Sequence, residues 1–413
     1  MNPAIQGLMT IVFGVGGCLA YFFLSNVVLD TFIFPAKGKN AGRNINRANM
    51  VRPWLFLFPA LLVLGLYLAY PVFETLRLSL SARLPGGGYE FVGLDNYRQL
   101  LNESKFWEAL RNNFLWLAVV PAASTAIGLL VAQLTDRISW GSAAKSLIFM
   151  PMAISFVGAS VIFKLIYDTR PAALEQIGIL NAIWLQFDGG IWSTITLKVV
   201  PAFIIVAFGI VCVWIAWLLV RPMIQKGSRP EGPFIKVVRV ILAVLALLLA
   251  FKSVTGLISL LSATLAYGQP QTWLTVPFYN NFFLMVVLIW IQTGFAMVIL
   301  SAALRGIPEE TVEAAIVDGA GPFQIFFKIK VPQIMGTIVV VWTTITITVL
   351  KVFDIVFAMT NGQWETQVLA NYMYDKLFRA FDWGVGSAAA MVIMLLVTPI
   401  LVWNVYNARK EMR

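Results

Sequence analysis

Residues Leu304–Gly336 read LRGIPEETVEAAIVDGAGPFQIFFKIKVPQIMG. The stretch sits between two long apolar runs, 281–304 and 336–359, yet is too polar to cross a bilayer. Pro308 suits a first helical turn, and Glu309, Glu310 and Glu313 suit the positive end of a helix dipole. Ala314 and Ala315 extend that helix, and Asp318-Gly319-Ala320-Gly321-Pro322 breaks it with turn residues. A second short helix is expected from Pro322, with Phe323, Phe326, Phe327 and Val331 apolar and Lys328 and Lys330 polar, ending at Pro332. Two short helices meeting at a near-right angle along a membrane face make a rigid protrusion.

The rest of the 413-residue chain explains what the protrusion projects from. It is 59% hydrophobic and only 12% charged, with a mean hydropathy of +0.81. A soluble domain carries charge on roughly a quarter of its residues, so a soluble enzyme or a disordered scaffold does not fit. A bilayer span needs about 20 apolar residues, and nine runs qualify. They are 7–34, 54–80, 108–134, 146–168, 194–220, 237–266, 281–304, 336–359 and 385–406. The first lacks a basic start and a small-residue cleavage signature, so it reads as a retained helix. The fold class is all-α, a polytopic helical membrane protein with about nine transmembrane helices.

Basic residues give the orientation. With the N-terminus outside and the C-terminus in the cytoplasm, five segments face inward. They hold Lys37, Lys39, Arg43, Arg47 and Arg52; Arg137 and Lys145; Arg221, Lys226, Arg229, Lys236 and Arg239; Arg305, Lys328 and Lys330; and Arg409, Lys410 and Arg413. The outward loops hold only Arg83, Arg98, Lys105, Arg170, Lys376 and Arg379, beside Gly86-Gly87-Gly88, Trp192, Trp273 and Trp364. The net charge of +10 thus reflects membrane topology, and no nucleic-acid partner is expected. There is no histidine, which excludes imidazole metal sites, histidine proton relays and Ser–His triads. Cys18 and Cys212 lie in apolar runs and read as buried small residues, so no metal site is expected.

Glu313-Ala314-Ala315, three residues, Gly319, nine residues, Ile329 and Val331-Pro332 together resemble the "EAA" loop of importer-type ABC transporter permeases, with Val331 where leucine is usual. The resemblance implies that Glu313, Ala314, Ala315, Asp318, Gly319, Ile329 and Pro332 dock in a cleft of a separate ATPase subunit. Met50–Pro59, Tyr70-Pro71-Val72, Gly93-Leu94-Asp95-Asn96-Tyr97, Leu350–Val356 and Asn371-Tyr372-Met373-Tyr374 are similar to the alpha-glucoside branch of carbohydrate permeases. On that pattern a six-helix permease core is joined by one N-terminal helix and two inserted helices. The expected parts are 1–53 (N-terminal helix and basic linker), 54–190 (first part of the core), 191–269 (inserted pair) and 270–413 (second part of the core with the loop 305–335). The implied partners are a second permease subunit, two copies of an ATPase subunit, an external sugar-binding protein and the lipid bilayer of a bacterial inner membrane. The sequence has no phosphate-cradling G-x-x-x-x-G-K-[ST] loop, since Gly38-Lys39 lacks the first glycine and is followed by Asn40. No cofactor is expected in this chain; ATP and magnesium belong to the ATPase, and the chain is not itself an enzyme.

Polar side chains inside spans are costly unless they face a cavity or a partner. Candidates for a sugar pathway are Trp290, Gln292 and Phe295 in one span and Thr344 and Thr348 in another, with Thr343, Thr346, Lys351 and Asp354 nearby. Gln292 and Phe295 fall on sugar-lining positions by resemblance to maltose-type permeases, whereas two further such positions hold the apolar Ile345 and Val349. The same threonines can instead bond back to their own helix, and Lys351 can neutralise Asp354 three residues on. The alternative function is a secondary transporter driven by an ion gradient through Lys351, Asp354, Glu74 or Lys164, which leaves the loop 305–335 without a role.

Overall fold

A computed structural model describes residues 3–35, 41–84, 86–136, 138–186, 190–224, 233–263 and 269–411. Lys37, Lys39, Arg137, Lys226, Arg229 and Arg413 of the charge pattern, and the Gly38-Lys39 pair, lie outside them. The chain forms two compact units, Met1–Ser104 with Met373–Leu396 and Lys105–Tyr372 with Val397–Arg413.

In the first unit, α1 (Pro3–Val28) runs on through a π-helical turn to Ile33, and α2 (Ala41–Leu64) continues through another to α3 (Tyr70–Ser79). Tyr21 on α1 donates its hydroxyl to the Leu55 carbonyl on α2 at 2.9 Å. A two-stranded antiparallel hairpin, β1 (Ser81–Arg83) and β2 (Tyr89–Phe91), interrupts the all-helical pattern. Its turn uses Gly87 and Gly88 at φ of 87° and 93°, angles that only glycine adopts readily. The Gly93–Tyr97 motif opens α4 (Asp95–Asn102) and has a clear task. Gly93 takes φ 61°, and the buried Asn96 amide donates to the Ser79 and Ser81 carbonyls, both at 2.9 Å, tying α4 to the end of α3.

The second unit begins with α5 (Ser104–Thr135). The expected span 146–168 is not straight. It comprises α6 (Gly141–Phe149), a tight turn over Met150–Ala153 and α7 (Phe156–Ile166), bent by 102°. Pro151 lacks an amide hydrogen for the helical ladder, and Ser155 restarts the chain as an N-cap that accepts the Gly158 amide at 3.1 Å. Two short helices follow, α8 (Ile179–Gln186) and α9 (Gly190–Thr194), then the hairpin pair α10 (Val200–Ile224) and α11 (Pro233–Ser262). Ala216 packs against Ala243 and Ala246 between the pair. Asn181, fully buried, accepts the Gln271 amide at 2.9 Å and donates to the Gln271 carbonyl at 3.0 Å, so the chain leaves and re-enters at one point.

The core of this unit is α12 (Tyr279–Arg305), with 56% of its most apolar window buried against 11% for α10 and α11. Leu284, Leu288, Met297 and Leu300 meet Trp116 of α5 and Ile345 and Val349 of the later helix α16 (residues 335–350) in one cluster. The last helices run as α13 (Glu309–Val317), α14 (Pro322–Gln324), α15 (Val331–Gln333), α16 (Met335–Leu350), α17 (Asp354–Met359), α18 (Leu369–Tyr374) and α19 (Trp383–Glu411). Among the described residues, six helices are long and apolar enough to span, and the two bent pairs raise that to eight. Of the nine expected runs, 385–406 falls on α19. The run 336–359 is two helices, because Lys351–Phe353 leaves the helical path between α16 and α17.

Candidate functional site

The protrusion grows directly out of the core. α12 ends at Arg305, Gly306 and Ile307 form the joint, and Pro308 takes the N-cap position (φ −57°, ψ 132°), one residue earlier than the sequence suggests. The nine residues of α13 are too few for a helix that stands alone, so its ends decide its stability. At the C-terminal end the Ala320 amide bonds to the Ala315 carbonyl and the Gly319 amide to the Ile316 carbonyl, both at 2.9 Å. That is a Schellman pair, and it requires the left-handed angle Gly319 supplies, φ 78°. A Cβ on Gly319 meets nothing within 4 Å, so the glycine answers a backbone need within this chain.

After the turn, α14, a π-helical stretch over Ile325–Lys330 and α15 make one rod that runs through Pro332 to Gln333. Pro332 therefore does not end the helix as the sequence suggests. It lies inside the rod, two residues after the π-helical stretch, and the chain bends by 72° into α16 two residues later. Ala315 and Ile325 point inward and are buried, and Ile329 is half-buried. Glu313, Ala314, Asp318 and Pro332 face outward. So do Val317 and Phe323, 86% and 80% exposed, beside Ile316 and Phe327. Four large apolar side chains exposed around a rigid elbow form a surface suited to a protein partner.

A second feature lies farther along the unit. A cleft of about 290 Å³ opens where α7, α12, α16 and α17 meet, lined by Phe156, Leu288, Thr348, Lys351, Phe353 and Asp354 among others. Lys351 and Asp354 are both exposed and make no ion pair with each other. The break at Lys351–Phe353 turns them into the cleft rim, and Phe353 stacks on Phe357 at 5.0 Å. Of the residues picked from sequence, Thr348 lines this cleft, while Trp290, Gln292, Phe295 and Thr344 do not. Trp290 lies edge-on to Phe163 at 5.4 Å, and Phe295 packs against the core. Gln292 is 8% exposed and has no side-chain hydrogen bond among the described residues. The threonines take the back-bonding course: Thr343 to Val339, Thr344 to Val340, Thr346 to Trp342 and Thr348 to Thr344, at 2.7–3.1 Å. The Tyr167 hydroxyl, at the end of α7, donates to the Phe283 carbonyl at 3.1 Å.

Sequence reasoning missed a third feature. The loop following α17 holds Asn361, Trp364 and Glu365 at φ of 53–61°, a region non-glycine residues rarely enter. Amides hold it there. Asn112 donates to the Glu365 and Gln367 carbonyls, both at 2.8 Å, Asn280 to the Trp364 carbonyl at 2.6 Å and Asn281 to the Glu365 carbonyl at 3.2 Å. Asn113 accepts the Leu369 amide at 2.8 Å, and Trp364 is left 45% exposed. The paired asparagines 112–113 and 280–281, at the ends of apolar runs, were the available signal.

Residues 191–412 match the family described as binding-protein-dependent transport system inner membrane component. The alpha-glucoside transport system permease protein AglF of Rhizobium meliloti is 52% identical, covering 100% of this chain and 99% of the relative. The osmoprotective compounds uptake permease protein GgtC of Synechocystis is 37% identical, covering 87% of this chain and 100% of that protein. The solved structure of a bacterial ABC transporter that imports alginate shares the fold, with a TM-score of 0.59, 16% identity and coverage of 91% and 100%. A multi-pass helical bundle, an elbow rooted in its central helix and a full-length likeness of this strength place the chain in that family, as a non-catalytic permease of an ABC importer.

Proposed function

We propose that this permease carries an alpha-glucoside or related oligosaccharide into the cell, driven by ATP and magnesium held in a separate ATPase subunit. The likeness to AglF over the whole chain supports the substrate class. In this reading the assembly holds this chain, a second permease, two ATPase copies and an external sugar-binding protein. The N-terminus lies outside and the C-terminus in the cytoplasm, which puts the elbow on the ATPase side.

The observation that carries the reading is the elbow itself. Glu313, Ala314, Ala315, Asp318, Gly319, Ile329 and Pro332 shape it, and Val317 and Phe323 present apolar surface that the described residues leave bare. ATPase closure moves the elbow, α12 and α16 follow because they flank it, and the cleft at Thr348, Lys351 and Asp354 changes its access. Phe353 offers an aromatic face to sugar C–H groups, and the three polar side chains offer hydrogen bonds to hydroxyls. Val317→Asp with Phe323→Asp tests the docking. The ATPase should be lost on purification while the permease still inserts; a variant that keeps its ATPase and imports sugar normally refutes the assignment.

A further inference from the structure

The three helices around the elbow's root are packed backbone to backbone. A Cβ on Gly128 of α5 would lie 2.5 Å from Ala296 Cβ of α12, and one on Gly294 of α12 would lie 2.6 Å from the Ile148 carbonyl of α6. At the ends of these helices nearest the elbow, a charged cluster joins all three. Asp136 follows α5, Lys145 lies in α6, and Ser301 and Arg305 close α12. The Lys145 ammonium pairs with Asp136 Oδ1 and donates to Ser301 Oγ at 2.6 Å. Ser301 donates to the same carboxylate at 3.1 Å, and Arg305 Nε lies 3.7 Å from it. The Lys145 and Asp136 side chains are only 16% and 21% exposed and Ser301 is 1% exposed, whereas Arg305 is 66% exposed.

Asp136 and Arg305 also form one wall of a cleft of about 390 Å³ whose other wall includes Glu309, Glu313 and Lys330 of the elbow. The cluster thus stands between the bundle and the part of the chain that moves. Only Gly306, Ile307 and Pro308 connect α12 to α13. A push on α13 could be absorbed in that short joint unless the end of α12 is held. A carboxylate bonded to a lysine and a serine on two other helices ties those helix ends together, with Arg305 beside it as a second cation.

We propose that Asp136, Lys145 and Ser301 are positioning residues that lock α5 and α6 to the end of α12, so that elbow motion reaches three helices together. The inference rests on the elbow being the ATPase docking site. The test uses the complete transporter in vesicles, with its ATPase and binding protein, and radiolabelled maltose, sucrose and trehalose as probes. Asp136→Asn should keep the ATPase bound and hydrolysing ATP within about twofold of the parent, while sugar moved per ATP falls about tenfold, inside the roughly 5–150-fold span of coupling effects. The exchange Asp136→Lys with Lys145→Asp should recover most of that ratio, and Ser301→Ala should lower it less.

An unchanged ratio in Asp136→Asn overturns the proposal, as does loss of the ATPase from that variant, which would assign the cluster to docking. If Asp136→Asn fails to insert, Ser301→Ala and the charge exchange decide on the same ratio. The docking reading is judged separately by Val317→Asp with Phe323→Asp: release of the ATPase there leaves docking intact whatever the cluster variants do.

Discussion

Gly319 separates two reasons for a glycine in the elbow, and substitution can tell them apart. Its φ of 78° is needed for the two 2.9 Å bonds that end α13, and no atom of the described residues beyond its own chain neighbours lies within 4 Å of its missing Cβ. Gly319→Ala forces a residue with a Cβ into the left-handed region at about 1–2 kcal/mol. On a helix of nine residues that is enough to shift the intact elbow by a factor of roughly 5 to 30. Gly319→Asn adds more atoms, yet asparagine enters the left-handed region more easily and serves as a helix terminator. If the backbone angle decides, ATPase retention and uptake should rank Gly319 first, asparagine second and alanine third. The assay is co-purification of the ATPase with each variant, titrated with ATPase subunit, beside initial uptake rates. Asparagine ranking below alanine would refute the argument from angle and place the partner's surface within contact distance of position 319.

Three further outcomes follow from the described geometry. Asn112→Leu removes one donor each from the Glu365 and Gln367 carbonyls, Glu365 keeping Asn281, and should speed proteolysis or hydrogen exchange over 361–367 without altering membrane insertion. Thr344→Val should leave uptake within about twofold, because an exposed back-bonded hydroxyl contributes little net free energy, whereas Thr348→Val at the cleft should raise the sugar concentration for half-maximal uptake. With a membrane-impermeant maleimide, a single cysteine replacing Trp364 should react in right-side-out vesicles and one replacing Phe323 in inside-out vesicles. Labelling of both from one side would refute the assigned topology.

The residues explain which parts of this architecture could be read in advance. Apolar length finds helical stretches, so the expected runs fall on helices, though 146–168 and 336–359 each fall on a pair, and Gly319 marks the turn between α13 and α14. Direction changes inside apolar runs are carried by few atoms. Pro151 and Ser155 were visible as a proline and a capping residue, but hydropathy alone joined the helices on either side. The break at Lys351–Phe353 has no proline or glycine to announce it. Contacts remote in sequence leave no local trace. Ser301 finds Asp136 across 165 positions, and Asn112 finds Glu365 across 253. The threonines of α16 illustrate an ambiguity of composition, since a hydroxyl that could meet a sugar bonds as well to its own helix.

Asn181 and Gln271 clasp each other at the foot of everything between them. Such a clasp brings the two ends of the 89 intervening residues together, so splicing position 181 to position 271 needs only a short glycine bridge, at the loss of the contact between Trp184 and Trp273. It also marks a port where a reporter domain could be grafted into the permease, with the rest of its fold left undisturbed.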